Sequence, residues 1–262
     1  MLNYLRAELY KLRHRKSFWI TLGVMLALEA LLVWGFTFIN AHGGHTCFDD
    51  CIMDIIPRML SFGGYLTLLS GDMVFAGQYR NATLKNEVSF GLPRWRIYLG
   101  KLIAQLLAAL LMCFVMIGFY VAACRWTLPE GEIESVQVML YLGKALLAAL
   151  PVWMGVQAMV CACFFLIKGG TASAIAAVAL YAALPTIMWL VGVMYVQYPF
   201  GWSLLQIQEW MPTVMLDATP GHLVTGMTDY SAWLGKMCLT GGAWLAGSTA
   251  LGLWVFGRRE IN

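Results

Sequence analysis

Residues 18–39, FWITLGVMLALEALLVWGFTFI, decide the fold. The stretch runs for 22 residues with one charged side chain, Glu29. A helix needs about 20 apolar residues to cross a 30 Å hydrocarbon core. A signal-peptide core is shorter and ends at a small-residue cleavage site, so this run reads as a retained anchor. Five more runs follow at 60–79, 102–124, 138–167, 171–196 and 234–256. In lipid the backbone has no water to bond, so each run must satisfy its amides internally as a helix. The runs are too long and too continuously apolar for barrel strands, which alternate over about 10 residues. Composition agrees. Of 262 residues 60% are hydrophobic and 12% charged, with a mean hydropathy of +0.71. Soluble domains carry about 25% charged residues. Thirty-one charged side chains cannot give this chain a polar skin, which excludes a soluble enzyme, a disordered chain and a nucleic-acid binder. The predicted fold is an all-α integral membrane protein of six spans, forming a single domain over 1–262.

The net charge of +3 matters less than its arrangement. Thirteen of the 17 basic residues fall on one side of the six runs: Arg6, Lys11, Arg13, Arg15 and Lys16; Arg80, Lys85, Arg94, Arg96 and Lys101; Lys168; Arg258 and Arg259. Arg58, Arg125, Lys144 and Lys236 fall on the other. Short basic connections stay in the cytoplasm, so both termini are expected there. Lys144 and Lys236, near outer helix ends, are expected to snorkel.

Two cytoplasmic segments carry further pattern. In residues 1–17, Leu2, Leu5, Leu9 and Leu12 recur at helical spacing, with Arg6, Lys11, Arg13 and Arg15 mostly off that stripe. Such a helix is expected to lie flat in the interface with its apolar face in the acyl region. In 78–101, QYRNATLKNEVSFGLPRWRIYLGK, Asn81 can cap a short helix to about residue 90, which Gly91 ends before Pro93.

The segments AELYKLRHRKSFW and QYRNATLKNEVSFGLPRWRIYLGK resemble those of ABC-2 transporter permeases, a family that includes bacterial peptide-antibiotic immunity and drug-efflux permeases. The resemblance implies an elbow helix over 1–17, with Leu5, Leu9, Leu12 and Arg13 in it. It implies a coupling helix in 80–101 that docks on a cytoplasmic ABC ATPase through Asn81, Thr83, Leu84, Lys85, Asn86 and Glu87. It also implies a pairing of two membrane subunits, identical or related, with two ATPase subunits in the bacterial cytoplasmic membrane. The chain contains no G-x-x-x-x-G-K-[ST] phosphate loop, so no cofactor is expected on it, and ATP and Mg would be bound by the partner.

Ionisable groups inside spans mark pathways by default, because a charge in hydrocarbon costs several kcal/mol unless paired, wetted or neutralised. Glu29 and Asp72 are therefore pathway or gating candidates, with a protonated, hydrogen-bonded Glu29 as the alternative. Ala172, Ala176, Ala179 and Ala183, and likewise Ala243 and Gly247, then Ser248 and Gly252, form small-residue stripes expected at helix contacts. Pro151 and Pro185 are expected to kink their spans.

Residues 197–233 hold apolar pieces too short to cross, punctuated by Pro199, Pro212 and Pro220, and are expected to form short re-entrant or interfacial helices. The loop AHGGHTCFDDC gathers His42, His45, Cys47, Asp49, Asp50 and Cys51. A Cys47–Cys51 disulfide, free solvated side chains and a metal site all remain open there, although the spacing matches no standard metal site. The seven cysteines form no disulfide framework.

The favoured function is the permease subunit of an exporter that moves an amphipathic peptide antibiotic, drug or lipid outward. It is not itself an enzyme. The alternatives are a non-transporting sensor, immunity or assembly subunit, and a membrane-embedded processing enzyme, for which the four histidines show no catalytic spacing with acids.

Overall fold

The computed structural model describes residues 2–81, 89, 91–167, 169–224 and 227–258. All secondary structure among them is helical. Helix α1 (Leu2–Arg13) leads into α2 (Lys16–Ala41). A helical turn α3 (Phe48–Asp50) runs through a π-helical turn, Cys51–Ile55, into α4 (Ile56–Asn81). Then come α5 (Arg94–Thr127), α6 (Ser135–Leu166) and α7 (Gly170–Val178). The last continues through a second π-helical turn, Ala179–Ala183, into α8 (Leu184–Met194). Short helices α9 (Pro199–Gln208) and α10 (Pro212–Val224) precede α11 (Met227–Arg258).

Among the described residues five stretches are long and apolar enough to cross a membrane: Lys16–Ala41, Arg94–Thr127, Ser135–Leu166, Gly170–Met194 and Tyr230–Arg258. The sixth expected run, 60–79, lies in α4, which has 26 residues but is not among the five. Its inward side carries Thr67 and Ser70, both buried, and Asp72 adds a charge. A helix this polar is stable in an apolar setting only where neighbours satisfy its side chains.

Helix α6 is the axis of the bundle. In its most apolar stretch 67% of residues are buried inside the protein, against 17–28% in the other four. Helices α4, α5, α7, α10 and α11 pack around it. The outer helices turn Trp19, Leu31, Phe114, Ile187 and Trp254 outward.

The α6–α11 contact is set by two glycines. A Cβ on Gly241 would lie 2.3 Å from the carbonyl of Pro151, and one on Gly155 would lie 2.8 Å from the carbonyl of Gly241. Backbone meets backbone here, with no flexible side chain to give way. Close approach of this kind maximises dispersion between helices where lipid supplies no hydrophobic drive. The stripe expected at this contact is displaced: Ala243 and Gly247 are exposed, and a Cβ on Gly247 would meet nothing within 4 Å. Gly252 does make a contact, receiving the Tyr98 ring. The alanine stripe of α7 also faces largely outward, and Ser173, Ala177 and Tyr181 are the buried positions.

Pro185 explains the π-helical turn before it. Proline lacks an N–H and crowds the carbonyl four residues back, here Tyr181. The helix widens at Ala179–Ala183, and the Tyr181 carbonyl accepts a hydrogen bond from Thr213 Oγ1 of α10 at 3.2 Å.

Replacing Gly241 with leucine is expected to lower the thermal unfolding midpoint in detergent strongly, by the equivalent of about 3 kcal/mol or more. Gly247→Leu is expected to leave that midpoint nearly unchanged, as the open space around it requires.

Candidate functional site

At the end of the bundle that holds α1, four helices, α1, α4, α5 and α11, are latched together. Glu8 is buried on α1 and reaches Lys11 at 2.7 Å and Lys101 at 3.4 Å. Lys101, on α5, is fully buried with its amino group 5.6 Å from the Tyr4 ring centroid. Arg94, at the start of α5, donates to the carbonyls of Phe256 (2.7 Å) and Gly257 (3.0 Å) at the end of α11. Arg15 Nη1 donates to the Met73 carbonyl of α4. The expected lipid-facing stripe is corrected by these contacts. Leu12 is buried, and Leu5 and Leu9 pack with Tyr4 against the core, while Arg13 is exposed. The stripe is apolar because it faces α5. Lys101 acts as an ion-pair partner beneath α1, where the sequence suggested a topology-setting surface charge. Glu8 was missed although it lies on the leucine stripe, three residues from Leu5 and four from Leu12.

Asn81 ends α4, and its side chain, like Thr83, Leu84, Lys85, Asn86 and Glu87, lies outside the described residues. Beyond them Gly91 takes φ +78°, the left-handed conformation in which glycine ends helices, and Pro93 occupies the cap position of α5.

A cavity of about 240 Å³ opens between α2, α4, α5 and α6. Most of its wall is Leu, Met and Ile, with Trp153 on one side, its indole held by a hydrogen bond to the Leu60 carbonyl at 2.9 Å. Glu29 is 7% exposed, lines the cavity, and has no hydrogen-bond partner at Oε2. Nearby polar groups bond to one another instead. Ser70 Oγ donates to Gln157 Oε1 at 3.0 Å, and Gln105 Nε2 donates to the same oxygen at 2.5 Å. This chain ties α4, α6 and α5 together. Its members are isolated polar residues inside apolar runs, a signal the sequence offered and sequence reasoning passed over.

Asp72 does not join Glu29. It is exposed, and its Oδ1 lies beside Gly170. A second, more polar cavity of about 450 Å³ adjoins the first. It is lined by α4, α8, α9 and α10, with Arg58, Tyr65, Trp189, Gln208 and Asp217 in its wall. Phe62 lines both chambers. Ser61 donates to Asp217, and Tyr181 donates to the Ser61 carbonyl at 2.8 Å. Helices α9 and α10 begin at Pro199 and Pro212, so these prolines start helices, while Pro220 sits inside α10. Lys236 of α11 pairs with Glu209 at 3.7 Å and lies 5.0 Å from the Trp210 ring centroid.

Cys47 and Cys51 are both free thiols. Cys47 caps α3, where its N–H donates to Asp50 Oδ2 at 3.2 Å. A hydrogen bond with the Cys124 thiol, together with burial, pushes the Cys51 thiol well up. Of the alternatives left open for this loop, the disulfide is not formed, and Cys51 instead faces α5, which also sends Tyr120 Oη to the Cys51 carbonyl at 3.3 Å. Cys47, Asp49 and Asp50 place ligand-type atoms within 4.8 Å of one another. Desolvation and the carboxylates of Asp50, Asp49 and Glu132 push the Cys47 thiol up, and Asp49 Oδ2 is engaged by the Ile133 amide at 3.3 Å. His42 bonds through Nδ1 with the Phe38 carbonyl at 2.9 Å, and His45 is exposed.

Residues 4–186 match the family model described as ABC-2 family transporter protein. The chain belongs to the ABC-2 transporter family. No curated protein matches it. The match covers α4, α5 and nearly all of α1 among the latched helices, but not α11, and all four helices around the Glu29 cavity. This protein is thus a multi-pass membrane permease, a transport subunit without its own ATP-binding motif, of a kind that works with an ABC ATPase.

Glu8→Ala in the permease is expected to cost about 3 kcal/mol, because it strips a counterion from a buried amine. Glu8→Ala combined with Lys101→Met is expected to recover part of that loss. Thermal unfolding of the single and double variants measures both.

Proposed function

We propose that this permease is the membrane half of an ABC exporter that moves an amphipathic substrate outward, driven by ATP hydrolysed on a separate cytoplasmic ATPase. Two copies, or this chain and a related one, sit side by side in the bacterial cytoplasmic membrane with both termini in the cytoplasm. Helix α4 serves as the sixth span, and α1 is the elbow helix. Residues 81–87 meet the ATPase, and α9 and α10 lid the outer end of the path.

The observation that carries the reading is the set of latches around the start of α5. The segment 82–93 feeds directly into Arg94, which holds the end of α11, and into Lys101, which holds α1 through Glu8. A displacement delivered by the ATPase at that segment is therefore passed to α1, α5 and α11 together. Buried ion pairs and charge-assisted hydrogen bonds are stiff enough to transmit such a push. Along α5 the motion reaches the wall of the Glu29 cavity, to which Leu106, Leu110 and Met116 belong. The apolar wall with a single carboxyl group suits an amphipathic load, of which peptide antibiotics, drugs and lipids are examples.

Co-expression with the cognate ATPase tests the docking. The two subunits are expected to co-purify, and Leu84→Ala, Asn86→Ala and Glu87→Ala together are expected to abolish that. Survival of the complex would move the interface elsewhere. ATPase activity of the complex in vesicles is expected to rise with at least one class among peptides, drugs and lipids. A flat response to every class would remove the exporter reading.

A further inference from the structure

We infer that the Glu29 cavity is a binding site for a lipophilic organic monocation, with its apolar body in the chamber and its ammonium or guanidinium group against Glu29 Oε2. The inference deepens the permease reading, on which it rests, by naming the charge and size of what the membrane domain holds.

Three observations converge on it. The first is size: a dry cavity of about 150 Å³ takes a benzene ring, and this one measures about 240 Å³, enough for an aromatic ring and a compact cationic head. The second is the wall. Leu32, Leu66, Met112, Met116 and Ile117 are apolar, and methionine side chains adapt to irregular ligands. Trp153 adds an aromatic surface of the kind that attracts organic cations, and Gly63 makes room for it, since a Cβ there would lie 3.0 Å from the indole. The third is charge. Among the described residues Glu29 is the one acidic residue in the lining, and none of the lining residues is Lys or Arg. Its Oε2 is buried without a hydrogen-bond partner.

Ser70 and Gln105 do not bond Glu29 Oε2: the Ser70 hydroxyl is turned to the Thr67 carbonyl (2.7 Å) and to Gln157 Oε1, and Gln105 Nε2 donates to the same Gln157 oxygen. A guest without a hydrogen-bond donor leaves Oε2 orphaned, a neutral donor bonds it without balancing its charge, and an anion is repelled by it. A cation satisfies it, and burial of that charge pair away from water strengthens the attraction. A lipid acyl tail also fits an apolar chamber, yet it offers nothing to Glu29.

The test uses two probes of the same shape, benzylammonium, whose head donates hydrogen bonds, and its neutral isostere ethylbenzene. Binding to the purified full-length permease in nanodiscs is measured by equilibrium dialysis, with empty nanodiscs subtracted. Wild type is expected to bind the cation more tightly than the isostere by roughly tenfold. Glu29→Gln is expected to erase that preference and leave the isostere's affinity unchanged. Leu66→Trp, which keeps the carboxyl group and fills the chamber, is expected to abolish binding of both probes, so the claim stays testable should Glu29→Gln misfold. Equal affinity of wild type for the two probes overturns the inference. So does cation binding that survives either variant unchanged. The assay contains neither nucleotide nor ATPase, so its failure leaves the docking reading standing, and loss of docking leaves cavity binding standing.

Discussion

The contact between α6 and α11 is backbone against backbone, where Gly241 of α11 meets the Pro151 carbonyl of α6. Between helices in lipid the apolar surfaces gain nothing by leaving water, because lipid tails are as apolar as leucine. What remains is dispersion and hydrogen bonding, and both fall off steeply with distance. By letting α6 and α11 approach to backbone contact, Gly241 and Gly155 fix the position of the one helix that touches most others. Helices α4, α5, α7 and α10 are then placed by how they pack on α6.

Around that axis the buried polar groups meet three different fates. Ser70, Gln157 and Gln105 bond to one another across three helices, each such bond being worth about 1 kcal/mol in a membrane, with Gln105 Oε1 left unbonded. Glu8 and Lys101 pair at the α1 end, where the pair costs desolvation but adds an ionic tie between α1 and α5 to the packing of Leu5, Leu9 and Leu12. Glu29 is left with an unbonded oxygen beside a cavity. In a low-dielectric setting an orphaned acceptor is a standing cost, which makes the position responsive to whatever cation or donor arrives.

The far end of the bundle shows strain turned into connection. Pro185 opens a π-helical turn, and the carbonyl it releases is taken by Thr213 of α10. Such turns recur at functional positions because they leave backbone groups free to change partners. Here the turn stands beside the second cavity, whose wall includes Ala182 and Pro185, and its Tyr181 hydroxyl also reaches the Ser61 carbonyl of α4. The short outer helices are thereby coupled to α4 and α8 at one place.

How much of this was legible depends on range. The apolar runs, the prolines that start α9 and α10, and the helical spacing of Leu5, Leu9 and Leu12 are local patterns, and each falls in a helix. The partner of the leucine stripe was misjudged, because spacing shows that a face is apolar but not whether lipid or α5 covers it. Most of the small-residue stripes failed for the same reason, the Ser248 and Gly252 pair beneath Tyr98 excepted: many small residues are spaced like contacts, and only the ones that a neighbouring helix reaches become contacts. The sequence by itself determined a helical membrane protein, its family resemblance and the presence of a carboxyl group within an apolar run, since hydrocarbon thickness and backbone bonding are satisfied segment by segment. The tertiary structure alone decided that Gly241 is the contact glycine, that Glu8 meets Lys101, and that Glu29 faces a cavity while Asp72 does not. Those facts depend on which faces of distant segments are brought together, and that is settled by packing among helices far apart in the chain.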